Sequence, residues 1–270
     1  MVLMVRSMGS PFQSTACGFG TVFKTNGHRD LTMSEVGRDQ ILPSLLNADH
    51  ERSRDEPEIA ANIATQLEHM GLSTWSISVL RRLRDAIGRQ EPKTVLEVGG
   101  SIGHRSAWLY DLFNQHPIQR YDIVEQGAKF GVILHRLLTR YDASSWSNII
   151  VNDFATLCAE EKAWKLTTAS GVGADERRLA EQYDAIIVDA PLARLSNDLQ
   201  SAMELLSNNG VLYTTEPETP VGEYDELDED GKAKVDGFNA WIELIQSIQE
   251  THHVAFVPLF GGTIVAFFKR

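Results

Sequence analysis

Apolar residues follow two different periodicities along the chain. Between residues 59 and 88 they recur every three or four positions, as in Ile59, Ile63 and Leu67, which predicts two amphipathic helices. From residue 94 onward, short apolar runs alternate with further helical patterns. These runs predict seven strands, at residues 94–100, 121–127, 148–153, 183–191, 210–217, 252–259 and 262–270.

The order of these elements predicts the fold class. Short apolar strands separated by helices indicate parallel strands joined by right-handed crossovers. The last two strands are joined through Gly261 and Gly262, which leaves room only for an antiparallel hairpin. We therefore expect an α/β fold with a doubly wound, mostly parallel seven-stranded sheet and an antiparallel hairpin at its C-terminal end.

Residues 1–55 lack such periodicity and end in a charged stretch, so we expect them to be poorly ordered, with the folded domain at residues 56–270. No acidic residue precedes Asp30, and residues 1–29 combine basic residues with many Ser, Thr and Gly residues. That composition fits either a targeting peptide or a disordered start, and the sequence leaves both open.

Charge and cysteine content narrow the class of protein. The net charge of −12 disfavours a nucleic-acid partner, because an acidic surface repels phosphate groups. Cys17 and Cys158 are too few for a disulfide framework or a zinc site. No apolar run reaches the ~18 residues that a membrane span needs. We expect a cytoplasmic protein without a membrane partner, and a homodimer is one option for its assembly.

The stretch "KTVLEVGGSIGHRSAW" (93–108) carries the candidate chemistry, because an apolar strand enters a glycine-rich turn and then a helix. Gly99 to Gly103 reads as G-x-S-x-G, a turn that presents a serine nucleophile, and Ser101, Asp189 and His252 follow the chain order of a hydrolase triad. The sequence contains no HGGG-like oxyanion loop, however. A dinucleotide-binding loop would require glycine at the positions of Ser101 and His104.

The stretch from Glu97 to Gly103 resembles the E/D-x-G-x-G-x-G loop of class I S-adenosylmethionine-dependent methyltransferases, with Ser101 in place of the middle glycine. "GSIGHRSAW" and the two leading helices are most similar to the catechol O-methyltransferase-like branch. The resemblance covers residues 59–270 and implies a Rossmann-like enzyme that methylates a hydroxyl or amine of a small-molecule substrate. Aminopropyl transfer, transfer to a protein side chain and a non-catalytic cofactor-binding protein are the alternatives.

The resemblance places the methionine end of S-adenosylmethionine at the first strand–helix loop. Gly99, Ser101 and Gly103 would let backbone N–H groups approach the cofactor's carboxylate. Glu97 would accept a hydrogen bond from the cofactor's ammonium group, directly or through water, and its alternative role is to bind the loop's own N–H groups.

The nucleoside end would lie at the next strand ends. Glu125 could accept hydrogen bonds from both ribose hydroxyls, one on each oxygen. Asp153 could accept one from the adenine amino group, and Phe154 could pack on the base. As an alternative, Asp153 is placed to cap the following helix.

The catalytic residues implied by the resemblance are Asp189 and Glu216. They would face one cleft beside the methyl group and hold a divalent metal such as Mg²⁺. Asp189 would also border the cofactor. The chain departs from the catechol-type pattern at two positions, where Pro217 replaces an asparagine and Leu192 replaces a lysine. Two neighbouring carboxylates need a cation between them, so a metal and a cationic acceptor remain the two options.

Overall fold

The computed structural model describes residues 38–170, 177–221 and 228–270, and within these ranges it contains seven strands and eight helices. The strands are β1 (Thr94–Val98), β2 (Arg120–Glu125), β3 (Ser147–Val151), β4 (Tyr183–Val188), β5 (Leu206–Thr215), β6 (His252–Leu259) and β7 (Gly262–Lys269). The helices are α1 (Arg38–Leu45), α2 (Glu58–Met70), α3 (Ile77–Gln90), α4 (His104–Gln115), α5 (Ala128–Arg140), α6 (Phe154–Ala169), α7 (Leu192–Glu204) and α8 (Glu229–Ile248).

The seven strands form one sheet in the order β3-β2-β1-β4-β5-β7-β6. Strands β1 to β5 pair in parallel, as expected for strands joined by helical crossovers. Strand β7 runs antiparallel to both β5 and β6, so it lies between them as the one reversed strand of the described sheet. This arrangement confirms the predicted α/β class with a mostly parallel sheet and a C-terminal hairpin.

Helices cover both faces of the sheet. Side chains alternate along each strand, so Ile186 and Ile187 of β4 enter different hydrophobic cores. Helices α1 to α5 contribute to one core, and α6, α7 and α8 contribute to the other. The carboxyl ends of the parallel strands therefore share one edge of a three-layer structure, the edge at which open α/β sheets bind ligands.

The segment before residue 56 differs from the sequence-based expectation. Helix α1 is packed, and Ile41, Leu42 and Leu46 are buried in the core. Arg89 ties this segment to α3 by donating hydrogen bonds to the carbonyl oxygens of Leu45 (2.7 Å) and Asn47 (2.6 Å). An eight-residue helix is too short to show a clear periodicity, so the sequence-based domain boundary at residue 56 leaves out a helix that packs into the core.

Residues 1–37, for which the sequence leaves open a targeting peptide or a disordered start, lie outside the described residues. Among the helices that the structure describes, none is long and apolar enough to cross a membrane.

Candidate active site

Two adjoining cavities open at the carboxyl edge of the sheet. The first, which we call the β1–β2 cavity, has a volume of about 400 Å³ and is bounded by residues that follow β1, β2, β3 and β4. The second, the β4–β5 cavity, has a volume of about 660 Å³ and is bounded by residues that follow β4, by the end of β5 and the loop after it, and by the starts of α7 and α8. Asp189 and Ala190 line both, so molecules bound in the two cavities would meet at Asp189.

The glycine-rich loop after β1 packs against the end of β4. Gly99 has a φ of +84°, and a Cβ placed there would lie 1.9 Å from the carbonyl oxygen of Asp189. Only glycine fits such a close approach. The backbone N–H of Asp189 in turn donates to the carbonyl oxygen of Val98 (2.9 Å), so the loop and the cavity wall are held together.

The Glu125 carboxylate closes this loop from the β2 side. Its Oε2 accepts a hydrogen bond from the backbone N–H of Ser101 and its Oε1 accepts one from Gly127, both at 2.7 Å. Glu125 is the last residue of β2 and lines the β1–β2 cavity. A carboxylate has about four lone-pair sites, so two remain for hydroxyl groups of a ligand.

Of the two residues predicted at the base-binding end, only Phe154 lines the β1–β2 cavity. Asp153 caps α6 instead, because its Oδ2 accepts from the Thr156 N–H (3.0 Å), and its Oδ1 pairs with Arg194 (2.9 Å). The alternative role of Asp153 is therefore the one that the structure shows.

Several residues of this wall were not predicted from the sequence, among them Phe130 and Asn152. Asn152 follows β3 directly, beside the acid Asp153, whose charge gives the stronger sequence signal, whereas Phe130 lies on α5, away from the strand ends.

The Glu97 side chain does not reach either cavity. It is fully buried, where it accepts hydrogen bonds from Arg105 Nε (3.0 Å), Ser106 Oγ (3.0 Å) and the Tyr121 hydroxyl. Both oxygens of Glu97 are therefore bound by groups of the protein, because Glu97 lies inside β1 and the pleat of the strand turns its side chain toward α4.

Arg105 is a further functional candidate that the sequence did not indicate. Its side chain is 4% exposed, and it also donates to Asp189 Oδ2 (2.8 Å) and to the carbonyl oxygen of Gly99 (2.7 Å). Burial would lower the pKa of Arg105, but attraction to Glu97 and Asp189 outweighs burial and raises that pKa. Burial raises the pKa of Glu97 in turn, and Arg105 opposes that rise.

Asp189 and Glu216 do not form a pair. The side chain of Asp189 is 40% exposed and lines both cavities beside Arg105. Glu216 is exposed, its backbone N–H donates to the Thr263 carbonyl oxygen (2.9 Å), and its side chain lines neither cavity.

Across the part of the chain that the structure describes, no group of three or more His, Cys, Asp or Glu side chains is placed to hold a metal ion. The donor set at Asp189 thus does not fit the divalent metal that the catechol-type resemblance implies.

Solved structures share this architecture. A putative caffeoyl-CoA O-methyltransferase from Staphylococcus aureus aligns with a TM-score of 0.60 at 16% identity, covering 85% of this chain and 98% of that chain. The O-methyltransferase TomG from Streptomyces achromogenes, in complex with SAM, gives 0.58 at 15% identity, covering 80% and 92%. An O-methyltransferase from Bacillus cereus with bound SAH gives 0.56 at 16% identity, covering 86% and 96%. The chain has the methyltransferase fold.

The likeness is one of structure rather than of sequence. No protein-family model matches the chain, and no curated protein matches it either. At 16% identity and below, the methyltransferase fold is what these comparisons establish.

Within the methyltransferase fold, the residues of the alternative hydrolase triad are separated. Ser101 follows β1 at the carboxyl edge of the parallel strands. His252 pairs with Lys269, whose Nζ donates to the carbonyl oxygen of Leu206 (2.7 Å) at the start of β5, so His252 lies at the opposite edge. A serine and a histidine at opposite edges of one sheet cannot exchange a proton directly.

Proposed function

We propose that the chain binds S-adenosylmethionine in the β1–β2 cavity and transfers its methyl group to a small-molecule hydroxyl or amine in the β4–β5 cavity. The observation that carries this proposal is the position of Glu125, whose carboxylate lines the cavity at the end of β2 while Ser101 and Gly127 fix both of its oxygens. In the methyltransferase fold, this places two hydrogen-bond acceptors beside a glycine-rich loop.

The β1–β2 cavity suits the nucleoside half of the cofactor. Its volume falls within the ~300–1,000 Å³ typical of small-ligand sites. The rings of Phe130 and Phe154 supply apolar surface for a base, and Asn152 adds an amide. We propose that Glu125 binds the ribose hydroxyls and that Gly99, Ser101 and Gly103 shape the loop around the amino-acid half.

The cofactor supplies a methyl group that is already activated by the positive charge on its sulfur. The chain's task is then to align the acceptor with that group and to receive the acceptor's proton. Asp189 lines both cavities, and its Oδ2 is held by Arg105. We assign to the Asp189 carboxylate the roles of orienting the acceptor and accepting its hydrogen bond.

The β4–β5 cavity supports a small acceptor rather than a nucleic acid. Its wall combines Pro217 and Leu192 with the acidic residues Glu218, Asp228 and Asp230. Acidic side chains favour hydroxyl or amine groups over phosphates, in line with the net charge of −12. We accordingly propose a cytoplasmic enzyme that acts on a small molecule, without a nucleic-acid partner.

Calorimetric titration with S-adenosylhomocysteine tests the proposal. We expect binding in the micromolar range, about −8 kcal/mol. Glu125→Ala should weaken binding by roughly 2–3 kcal/mol, because two ribose hydroxyls lose a charged acceptor. Glu68→Ala, at an exposed carboxylate on α2, is the matched control and should bind as the unaltered chain does.

Two results would contradict this assignment. One is preferential binding of NADH, and the other is unchanged affinity in Glu125→Ala. Turnover of labelled S-adenosylmethionine in a metabolite extract then separates an enzyme from a non-catalytic cofactor-binding protein.

A further inference from the structure

Arg105 brings a fixed positive charge to the boundary between the two cavities. It belongs to the first turn of α4, and its guanidinium donates to three different acceptors, which are Glu97 Oε1, Asp189 Oδ2 and the Gly99 carbonyl oxygen. The guanidinium also lies 4.6 Å from the ring centre of Trp75. A planar group held by three hydrogen bonds and an aromatic face has one available orientation.

Arg105 lies between two carboxylates that require a counter-ion. Asp189 and Glu97 share Arg105 as their counter-ion, at 2.8 Å and 3.0 Å. Two carboxylates brought this close require a cation or a proton between them. Arg105 meets that need from within the chain, so the charge of the Asp189 carboxylate is balanced without a bound metal.

The same pairing disfavours a divalent ion at Asp189. An ion there would sit beside a guanidinium that is 2.8 Å from Oδ2, and like charges repel strongly in a partly buried site. Among the described residues, the other acids of the β4–β5 cavity do not form with Asp189 a group of three that could hold a metal ion. Glu216 does not line the β4–β5 cavity, and Pro217 lines it without a side-chain oxygen.

We propose that Arg105 takes the place of a divalent metal in this site, so that methyl transfer is metal-independent and Asp189 acts on the acceptor as a carboxylate positioned by Arg105. This inference rests on the proposed function for its chemistry. Metal binding at Asp189 depends on the protein's own residues and needs no cofactor. Arg105 is a positioning residue here, since it acts through Asp189.

A Mn²⁺ titration followed by electron paramagnetic resonance tests the metal half without cofactor or turnover. The unaltered chain should leave the signal of free Mn²⁺ unchanged. Binding of Mn²⁺ that is lost in Asp189→Asn would overturn the proposal. Because this result needs no cofactor, it is independent of whether S-adenosylhomocysteine binds.

Methyl transfer tests the positioning half. Turnover should be the same with EDTA as with added Mg²⁺, and loss of turnover in EDTA with recovery in Mg²⁺ would overturn the proposal. Arg105→Met should lower kcat by roughly 100-fold, the loss that a misplaced reacting group can cause. Turnover at the unaltered level in Arg105→Met would show that Arg105 positions nothing.

Arg177→Met is the matched control for the cost of removing a buried pair. Arg177 pairs with the buried Glu161 and stacks on Trp164 at 5.0 Å, and neither Arg177 nor Glu161 lines the two cavities. The Arg177→Met variant should have the same turnover per folded molecule as the unaltered chain.

If circular dichroism shows that Arg105→Met does not fold, Arg105→Lys carries the test. Lysine keeps the charge but cannot span three acceptors with the same geometry. We expect Arg105→Lys still to bind no Mn²⁺ and to have lowered turnover both in EDTA and in Mg²⁺. Recovery of turnover by Mg²⁺ would contradict the proposal.

Discussion

Replacing Gly99 by alanine tests how closely the fold and the site depend on one backbone contact. An added Cβ would lie 1.9 Å from the Asp189 carbonyl oxygen, whereas such contacts are essentially never closer than 3.0 Å. The overlap is with backbone on both sides, so no side chain can rotate to relieve it. Either the loop or the end of β4 must move, and Asp189 moves with it.

The expected cost has two parts. A residue other than glycine in the left-handed region costs about 1–2 kcal/mol. Overpacking adds about 1–3 kcal/mol where neighbouring groups must shift. Gly99→Ala should therefore lower the free energy of unfolding by about 2–5 kcal/mol, which corresponds to a fall in Tm of roughly 4–20 °C for a domain of this size.

Gly71→Ala separates the two parts. Gly71 ends α2 with a φ of +63°, and a Cβ there would meet nothing within 4 Å. Its cost should be the conformational part alone, about 1–2 kcal/mol. Urea unfolding followed by circular dichroism gives both values, and calorimetry should show that only Gly99→Ala weakens S-adenosylhomocysteine binding. Equal losses of stability in the two variants would refute the steric argument.

Two further predictions concern single side chains. Ser101 has a φ of +50°, and it contacts Glu125 through its backbone N–H, which any residue supplies. Ser101→Gly should therefore keep cofactor binding and change the free energy of unfolding by no more than about 1 kcal/mol. Covalent labelling of Ser101 by a fluorophosphonate probe would contradict this prediction and favour the hydrolase. Burial and the nearby Lys269 lower the pKa of His252, so the unfolded chain binds the proton more tightly and stability should be lost as pH falls below about 6.5. In urea unfolding between pH 7 and 5, the free energy of unfolding of His252→Gln should fall less steeply than that of the unaltered chain. The exposed His69→Gln is the control and should fall as the unaltered chain does. An equally steep fall in His252→Gln would contradict the assignment.

The fold could be predicted because its signal is repeated along the chain. Seven apolar runs, each bounded by helical patterns or glycine, indicate the strands independently, so an error in one leaves the others intact. Helix α1 could not be predicted in the same way. It has eight residues and contains Pro43, and its burial depends on contacts with distant elements such as Arg89.

The candidate site was harder to predict because it depends on where each strand ends. The sequence places the ends of the first five strands at residues 100, 127, 153, 191 and 217. In the structure these strands end at residues 98, 125, 151, 188 and 215, two or three residues earlier. Side chains alternate between the faces of a strand, and regular alternation stops where pairing stops, so such a difference changes where an acid points.

Five acids show how that offset decides a residue's role. Glu97 lies one residue before the end of β1 and is buried under α4, whereas Glu125 is the last residue of β2 and faces a cavity. Asp153 lies two residues beyond β3, which is the position that caps the next helix. Asp189 and Glu216 each lie one residue beyond a strand, but only Asp189 reaches a cavity.

The difference between those last two acids comes from the neighbouring strand. Beyond β5, the backbone N–H of Glu216 still donates to Thr263, so antiparallel pairing with the hairpin continues for one residue and the side chain remains exposed. Beyond β4, the neighbouring segment is the loop at Gly99, and the Arg105 side chain of α4 pairs with Asp189. A residue 84 positions away in sequence thus supplies the charge at this site, and only the packing of α4 against the sheet reveals it.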